Sequence, residues 1–364
     1  MTSLETILEQ AKAAHHALTH GEIAFLLSLT DPEELRQLHA AAYEVKLRYS
    51  GKVVSFRGII EMGNVCSKDC FYCGIRKGNT QIERFQLEEE SILRCVKRNL
   101  DMEYGSLVLQ SGEIESDAHT AFIEKVLRRI TEMSDGKLGI TLSLGEQSAE
   151  TYARWRTAGA HRYLLRIETS NPTLYAKLHP VDHNFERRVS CLRLLRKYDY
   201  QVGSGVMSGL PGQTYDDLAN DILFFHDIDL DMIGMGPYIP HHDTPLGREI
   251  EFTPHYAADH LRIGLNMISA TRLYLQNVNI AATTALQALA DDGREQGILA
   301  GANIVMPNIT DTEYRRSYQL YENKPCLDEN SEQCRFCLAR RLEKIGETVN
   351  WNQRGDSPHY AARH

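Results

Sequence analysis

NVCSKDCFYCGIRKGN, residues 64–79, follows directly on VVSFRGII, an apolar and β-branched run that starts at Val53. Its cysteines are spaced Cys66-x3-Cys70-x2-Cys73, with Tyr72 just before the last. Thiolates are soft ligands, and three on one short loop suit three irons of a [4Fe–4S] cubane, leaving the fourth iron open. Zinc is the alternative metal. It usually takes four ligands, and neither a fourth cysteine nor a histidine lies in this loop. An apolar strand running straight into a ligand-bearing loop is the arrangement at the C-terminal face of a barrel, where the reactive groups gather.

Working outward, further apolar runs follow: SLVLQ from Ser106, LGITLSL from Leu138, RYLLRIE from Arg162 and QVGSGVM from Gln201. DMIGMG from Asp231, NVNIAAT from Asn277 and ANIVMP from Ala302 complete the set. Between most of them lie helix-spaced segments such as EEESILRCVKRNL, AFIEKVLRRITEM, FERRVSCLRLLRKY and YDDLANDILFFHDI. Eight strands alternating with helices predict a (β/α)8 barrel of the TIM type, with a doubly wound open sheet as the rival. Residues 1–49 read as N-terminal helices, 50–310 as the barrel and 311–364 as a C-terminal extension. No Ser/Gly-rich or Pro-rich linker divides them, so all three belong to one domain.

The chain has 364 residues, 42% of them hydrophobic and 24% charged, enough to bury a large core without disulfides. With 40 Lys+Arg against 49 Asp+Glu, the net charge of -9 argues against a nucleic-acid or anionic-membrane binder. Neither a signal peptide nor a long apolar span is visible, so the expected address is the cytoplasm. Of eight cysteines, Cys95 and Cys191 sit in helix-patterned stretches and read as small buried hydrophobes. Cys326, Cys334 and Cys337 form a second tight group, and clustered cysteines in a reducing compartment suggest metal thiolates before disulfides.

These cysteines bring the family into view: the chain resembles the radical S-adenosylmethionine (SAM) superfamily. Within it, the chain is similar to the HydE maturases of [FeFe]-hydrogenase and to the related PylB methylornithine synthases. The shared motifs run along almost the whole chain: LQSGE, TLSLGE, RYLLRIETSNP, GLPGQT, GPYIPHHDTPL, ATTA, GANIVMPN, and YQLY ahead of the distal cysteines. Ile114, after QSGE, departs from relatives that carry an acid there. GLPGQT lacks the GK[ST] of a phosphate loop and reads as a backbone turn.

The resemblance implies that Cys66, Cys70 and Cys73 hold the cluster and that SAM occupies its open iron. For SAM it implies Tyr72, backbone groups at Ser111 and Gly112, Glu168 for the ammonium, Ser143 and Arg188 for the carboxylate and ribose region, and Met306 near adenine. Arg187, one register position away, is the alternative to Arg188 for that role. The substrate chamber would include Gln110, Thr141, Arg166, Thr283, Thr284, Tyr318 and Tyr321, with Arg166 and Tyr318 carrying the catalytic assignment. Arg166 interrupts an apolar strand, and a barrel-facing guanidinium needs either a substrate carboxylate or a core acid. Tyr318 and Tyr321, three apart, would share a helix face. His241 and His242 suggest either a metal site or a solvated loop, with the loop preferred. Cys326, Cys334 and Cys337 match a possible second iron–sulfur cluster, with zinc or free thiols left open.

Three functions follow. The first is HydE-like action on a small sulfur-containing or iron–cysteine precursor, as a monomer working with the maturases HydG and HydF. The second is a PylB-like rearrangement of lysine. The third is a non-enzymatic iron–sulfur or zinc protein. Lys68, Arg76 and Lys77 flank the cysteine loop and offer a basic rim for an acidic ferredoxin or flavodoxin, solvated charges being the plainer alternative.

Overall fold

The computed structural model describes residues 2–328 and 331–364, with the side chains of 331–334 outside the description. Each apolar run becomes a stave of a parallel ring. β1 (Val53–Phe56) and β2 (Gly58–Gly63) make the first, followed by β3 (Ser106–Ser111), β4 (Gly139–Ser143) and β5 (Arg162–Leu164). β6 (Gln201–Ser204) with β7 (Met207–Ser208), then β8 (Met232–Ile233) with β9 (Gly236–Pro237), are interrupted staves. β10 (Asn279–Ile280) and β11 (Ile304–Val305) complete the ring, and β12 (Thr348–Val349) adds to β1.

From β2 the strands pair in chain order through β3, β4, β5, β6 and β8 to β10, all parallel. β11 closes the circle. It pairs with β1 at Ser55↔Ile304 and Phe56↔Val305 and bridges to Ala281 just after β10. Hydrogen bonds from Ala282 N–H to the Ile304 carbonyl (2.9 Å) and from Ile59 N–H to the Pro307 carbonyl (2.7 Å) seal the two joints. A doubly wound sheet would leave two edges unpaired. Here both are joined, and the fold is the TIM-type barrel.

The sequence pattern explains the layers. Leu107, Leu109, Ile140, Leu142 and Val202 are buried because a parallel sheet is covered on both faces. The helices around it start at strong caps: Ser116 for Asp117–Met133, Asn184 for Phe185–Lys197, and a Thr214/Asp217 capping box for Tyr215–Asp227. Cys95 and Cys191 are buried in this helical layer, as their patterned surroundings suggest. The helices Leu4–Ala13, His20–Ser28 and Pro32–Ser50 pack against the long helix Pro254–Leu275. No helix among the described residues is long and apolar enough to cross a membrane.

One element departs from its sequence pattern. A helix through Tyr318 and Tyr321 is expected, but the helix Thr312–Arg315 stops before them. The Arg315 guanidinium gathers the carbonyls of Asn308 (3.2 Å), Thr310 (2.8 Å) and Cys326 (2.9 Å), folding the chain back on itself. Both tyrosines therefore lie in irregular chain.

Candidate active site

The cysteine loop leaves β2 at the C-terminal face of the barrel and is held by backbone and by one arginine. Gly74 N–H donates to the Leu320 carbonyl (2.9 Å) and Phe71 N–H to the Leu178 carbonyl (2.9 Å). Arg84 donates to the carbonyls of Asn64 (2.6 Å), Ile75 (2.8 Å), Arg76 (2.6 Å) and Asn79 (2.8 Å), pinning both ends of the loop at once. Gly112, in the QSGE turn, abuts the loop: a Cβ there would strike the Val65 carbonyl and lie 2.8 Å from Cys66 Cβ. That closeness lets Glu113 N–H donate to Cys66 Sγ at 3.3 Å.

This donor set fits an iron–sulfur cubane. Burial raises all three thiols above their ordinary value, Cys70 to about 12, so they ionise when a metal offsets the cost. Three soft thiolates with no fourth cysteine or histidine in the loop suit a cubane with one open iron better than a closed structural zinc site. Tyr72 packs edge-on to His179 (5.4 Å between centroids), its hydroxyl 3.3 Å from Nε2.

Glu168 sits where the β5 run ends. It is 12% exposed, so it is not a surface acid, and its backbone is left-handed at φ 67°. Bonds from Glu168 N–H to the Gly205 carbonyl and from Met207 N–H to the Glu168 carbonyl, both 3.0 Å, fix that conformation. Burial pushes its carboxyl up, opposed by the positive charges of Arg166 and Arg188. Arg166 Nη2 lies 2.9 Å from Glu168 Oε2 and donates to the Val206 carbonyl (3.0 Å). Of the two partners the sequence allows for Arg166, the one in place is an acid, and that acid is Glu168.

Arg188 faces a second acidic group, with Nε 2.7 Å from Glu146 Oε1 and Nη2 4.0 Å from Glu113 Oε2. Arg187 instead turns outward to Glu115 (2.6 Å) while touching Glu146 (3.3 Å). Lys68 completes the cluster, 3.1 Å from Glu146 and 3.3 Å from Glu113. The basic rim therefore differs from expectation. Lys68 is 16% exposed and paired inward, and Arg76 is bound to Asp69 at 2.5 Å, leaving Lys77 as the exposed cation of the three. Glu113 and Glu146 draw Lys68 in, a pairing that sequence spacing does not reveal.

The chamber residues fall into two groups. Gln110 donates to the buried Tyr318 hydroxyl (3.1 Å), and Lys324 ties the Tyr318 carbonyl (2.8 Å) to Glu61 (2.5 Å). Burial also raises the phenol of Tyr321. Thr284 accepts from Arg294 (3.1 Å), while the Thr283 hydroxyl is buried without a partner among the described residues. Thr141 and Met306 lie elsewhere, together lining a cavity inside the barrel with Arg57, Val108, Met232 and Asn279. Ser143 is half-buried at the end of β4, and the Ser111 hydroxyl donates to the Gly112 carbonyl (2.8 Å). In the GLPGQT turn, Gly209 and Gly212 take φ of 82° and 77°, and Gln213 accepts from Gly209 N–H (2.8 Å), as a backbone turn requires.

Of the distal cysteines, Cys326 and Cys337 are half-buried, and the Cys334 side chain lies outside the described residues. His241 is 5% exposed and packs against Gly74, so PYIPHH is not the wholly solvated loop expected. Sequence reasoning misses Arg84, Glu113, Glu146 and Arg57. Glu113 and Glu146 close the LQSGE and TLSLGE motifs but had no role assigned, and Arg84 had no signal of its own. Arg57, a charge inside an apolar strand run, carried one.

The radical SAM superfamily model matches residues 60–225. The [FeFe] hydrogenase maturase subunit HydE of Thermotoga maritima is 40% identical over 348 residues, 95% of each chain. The 3-methylornithine synthase of Methanosarcina acetivorans is 26% identical, covering 90% of this chain and 89% of that one. The crystal structure of methylornithine synthase (PylB) superposes with a TM-score of 0.79 over 96% of this chain and 98% of that one, at 24% identity, a likeness of fold. The thiolate loop on a closed barrel and the likeness along nearly the whole chain agree: this chain is a radical SAM enzyme and belongs to the family of the [FeFe] hydrogenase maturase subunit HydE.

Proposed function

We propose that this enzyme acts on a small sulfur-containing or iron–cysteine precursor during assembly of the di-iron site of [FeFe]-hydrogenase. The observation that carries this reading is the 40% identity to HydE sustained over 95% of both chains. Membership in the superfamily implies a [4Fe–4S] cluster and SAM, and when bound they supply an electron and a 5′-deoxyadenosyl radical.

The chain's own residues would orient and enclose the reaction. Cys66, Cys70 and Cys73 hold the metal, with Glu113 N–H on Cys66 Sγ stabilising the thiolate. Glu168 takes the SAM ammonium, a charge-assisted bond that a buried carboxylate makes strong. Arg188, Ser143, Tyr72 and the backbone at Ser111 and Gly112 complete the SAM cradle, and Met306 is assigned to the adenine side. Arg166, now on Glu168, would share its fork with an anionic substrate in a chamber with Gln110, Thr283, Thr284, Tyr318 and Tyr321, and Thr141 is assigned to the same substrate from the cavity it lines. The partners under this reading are HydG and HydF, with a ferredoxin or flavodoxin as donor. Cys326, Cys334 and Cys337 are candidate ligands of a second cluster.

Co-expression with HydF, HydG and an apo-hydrogenase tests the assignment. Hydrogen production should require this chain and disappear with Cys66→Ser. Full maturation by the Cys66→Ser variant would remove the reading, and isomerisation of lysine by the purified enzyme would replace it with the methylornithine synthase activity.

A further inference from the structure

The barrel rim beside the cysteine loop carries a second set of ligand-type side chains that the reading above does not use. His241 and His242 follow β9, and Glu322 follows Tyr321. One ring nitrogen of each histidine and one Glu322 oxygen lie within 4.8 Å of one another. Backbone bonds hold them there: Glu322 N–H donates to the Pro240 carbonyl (3.2 Å), and His242 N–H to Glu322 Oε1 (2.8 Å). His242 Nδ1 contacts that same oxygen. The two rings stack 18° from parallel with centroids 4.9 Å apart. An Asp243 carboxylate oxygen lies 3.4 Å from His242 Nε2.

We propose that His241, His242 and Glu322, with Asp243 alongside, bind one divalent transition ion of the Zn2+ or Fe2+ class, separate from the thiolate loop. Imidazole nitrogens select borderline first-row metals over Mg2+ or Ca2+, which prefer oxygen. Two carboxylates balance the ion's charge, and three protein ligands leave room for water or another group. The ion would join two segments that both touch the cysteine loop. Leu246 N–H donates to the Phe71 carbonyl (3.0 Å) from the histidine side, and Gly74 N–H donates to the Leu320 carbonyl (2.9 Å) on the glutamate side.

The test uses anaerobically reconstituted enzyme of measured iron content, loaded with Zn2+, gel-filtered and analysed for zinc. One equivalent should remain bound, and X-ray absorption should show only nitrogen and oxygen neighbours at about 2.0–2.1 Å. His242→Ala and Glu322→Gln should each weaken binding in calorimetry by at least about tenfold, since even outer-shell partners are worth that much. Iron content and circular dichroism should stay unchanged, which separates ligand loss from misfolding. Sulfur neighbours around zinc, equal zinc in wild type and both variants, or none retained by wild type would each overturn the proposal.

Discussion

Glu168 is a carboxylate kept from water in a backbone conformation that non-glycine residues rarely take. Such a conformation costs about 1–3 kcal/mol and persists only where neighbours enforce it, here Gly205 and Met207. The side chain is therefore aimed by the barrel rather than by its own preference. Glu168→Gln keeps the shape and removes the charge. SAM affinity, measured by equilibrium binding to the reconstituted enzyme, should fall about tenfold or more, from a charge-assisted bond of about 1.5–3 kcal/mol. Iron content should not change, and undiminished SAM affinity would take Glu168 out of the site. The residue's position after an apolar run was legible in the sequence. Its pairing with Arg166, two positions back, was not, because the chain has left β5 after Leu164 and turns left-handed at Glu168, so strand alternation no longer says which side chains meet.

At the scale of elements, the helix Tyr215–Asp227 clamps the chain that leaves Glu168. Asp221 Oδ1 accepts from Ser170 N–H and Oγ, both at 2.6 Å, and Asp217 accepts from Asn171 (2.7 Å). Burial raises the Asp221 carboxyl from 3.8 to about 7, so the folded protein keeps a proton there that the unfolded chain releases. Its stabilising effect is whole below about pH 4 and drains as the pH rises toward about 7. Between pH 5 and pH 7 wild type should lose roughly 2 kcal/mol relative to Asp221→Asn, whose amide does not titrate. Urea unfolding of both proteins at the two pH values measures it, and parallel losses would refute the burial argument. The cysteine loop depends in the same way on a residue outside it. Arg84→Ala gives up five bonds to carbonyls, four of them at 2.8 Å or less. It should cost about 3 kcal/mol or more and lower the iron bound after reconstitution, with Arg84→Lys recovering little because a point charge cannot fork.

At the scale of the molecule, the chain's end closes the barrel's N-terminal face. Asp356 accepts from the fully buried Arg162 and from Gln201 (2.6 Å), and the Gly355 carbonyl accepts from Arg57 (3.1 Å) and Asn279 (2.9 Å). His161 and Arg162 hold the Asp356 carboxyl well below the usual carboxylate range, so its stabilisation is present above the ordinary carboxylate pKa and is lost only in strong acid. Asp356→Ala leaves the Arg162 charge buried and unpaired. It should cost about 3 kcal/mol in chemical unfolding, the low end for such pairs because Asp356 itself is 35% exposed. The buried pair of Lys46 and Glu347 joins the first helices to the extension. Residues 1–49, 50–310 and 311–364 are therefore expected to unfold in one transition, and two separated transitions in calorimetry would divide them.

The sequence by itself determined the strands, their alternation with helices and the ligand loop, because strand burial and thiolate spacing are written in residues near one another. Closure of the ring between β1, β10 and β11, the acids that turn Lys68 inward, and the plug at Asp356 were decided by tertiary structure. Each depends on groups far apart in the chain whose meeting follows from barrel geometry, and no local pattern of polarity encodes which buried charge will find which partner.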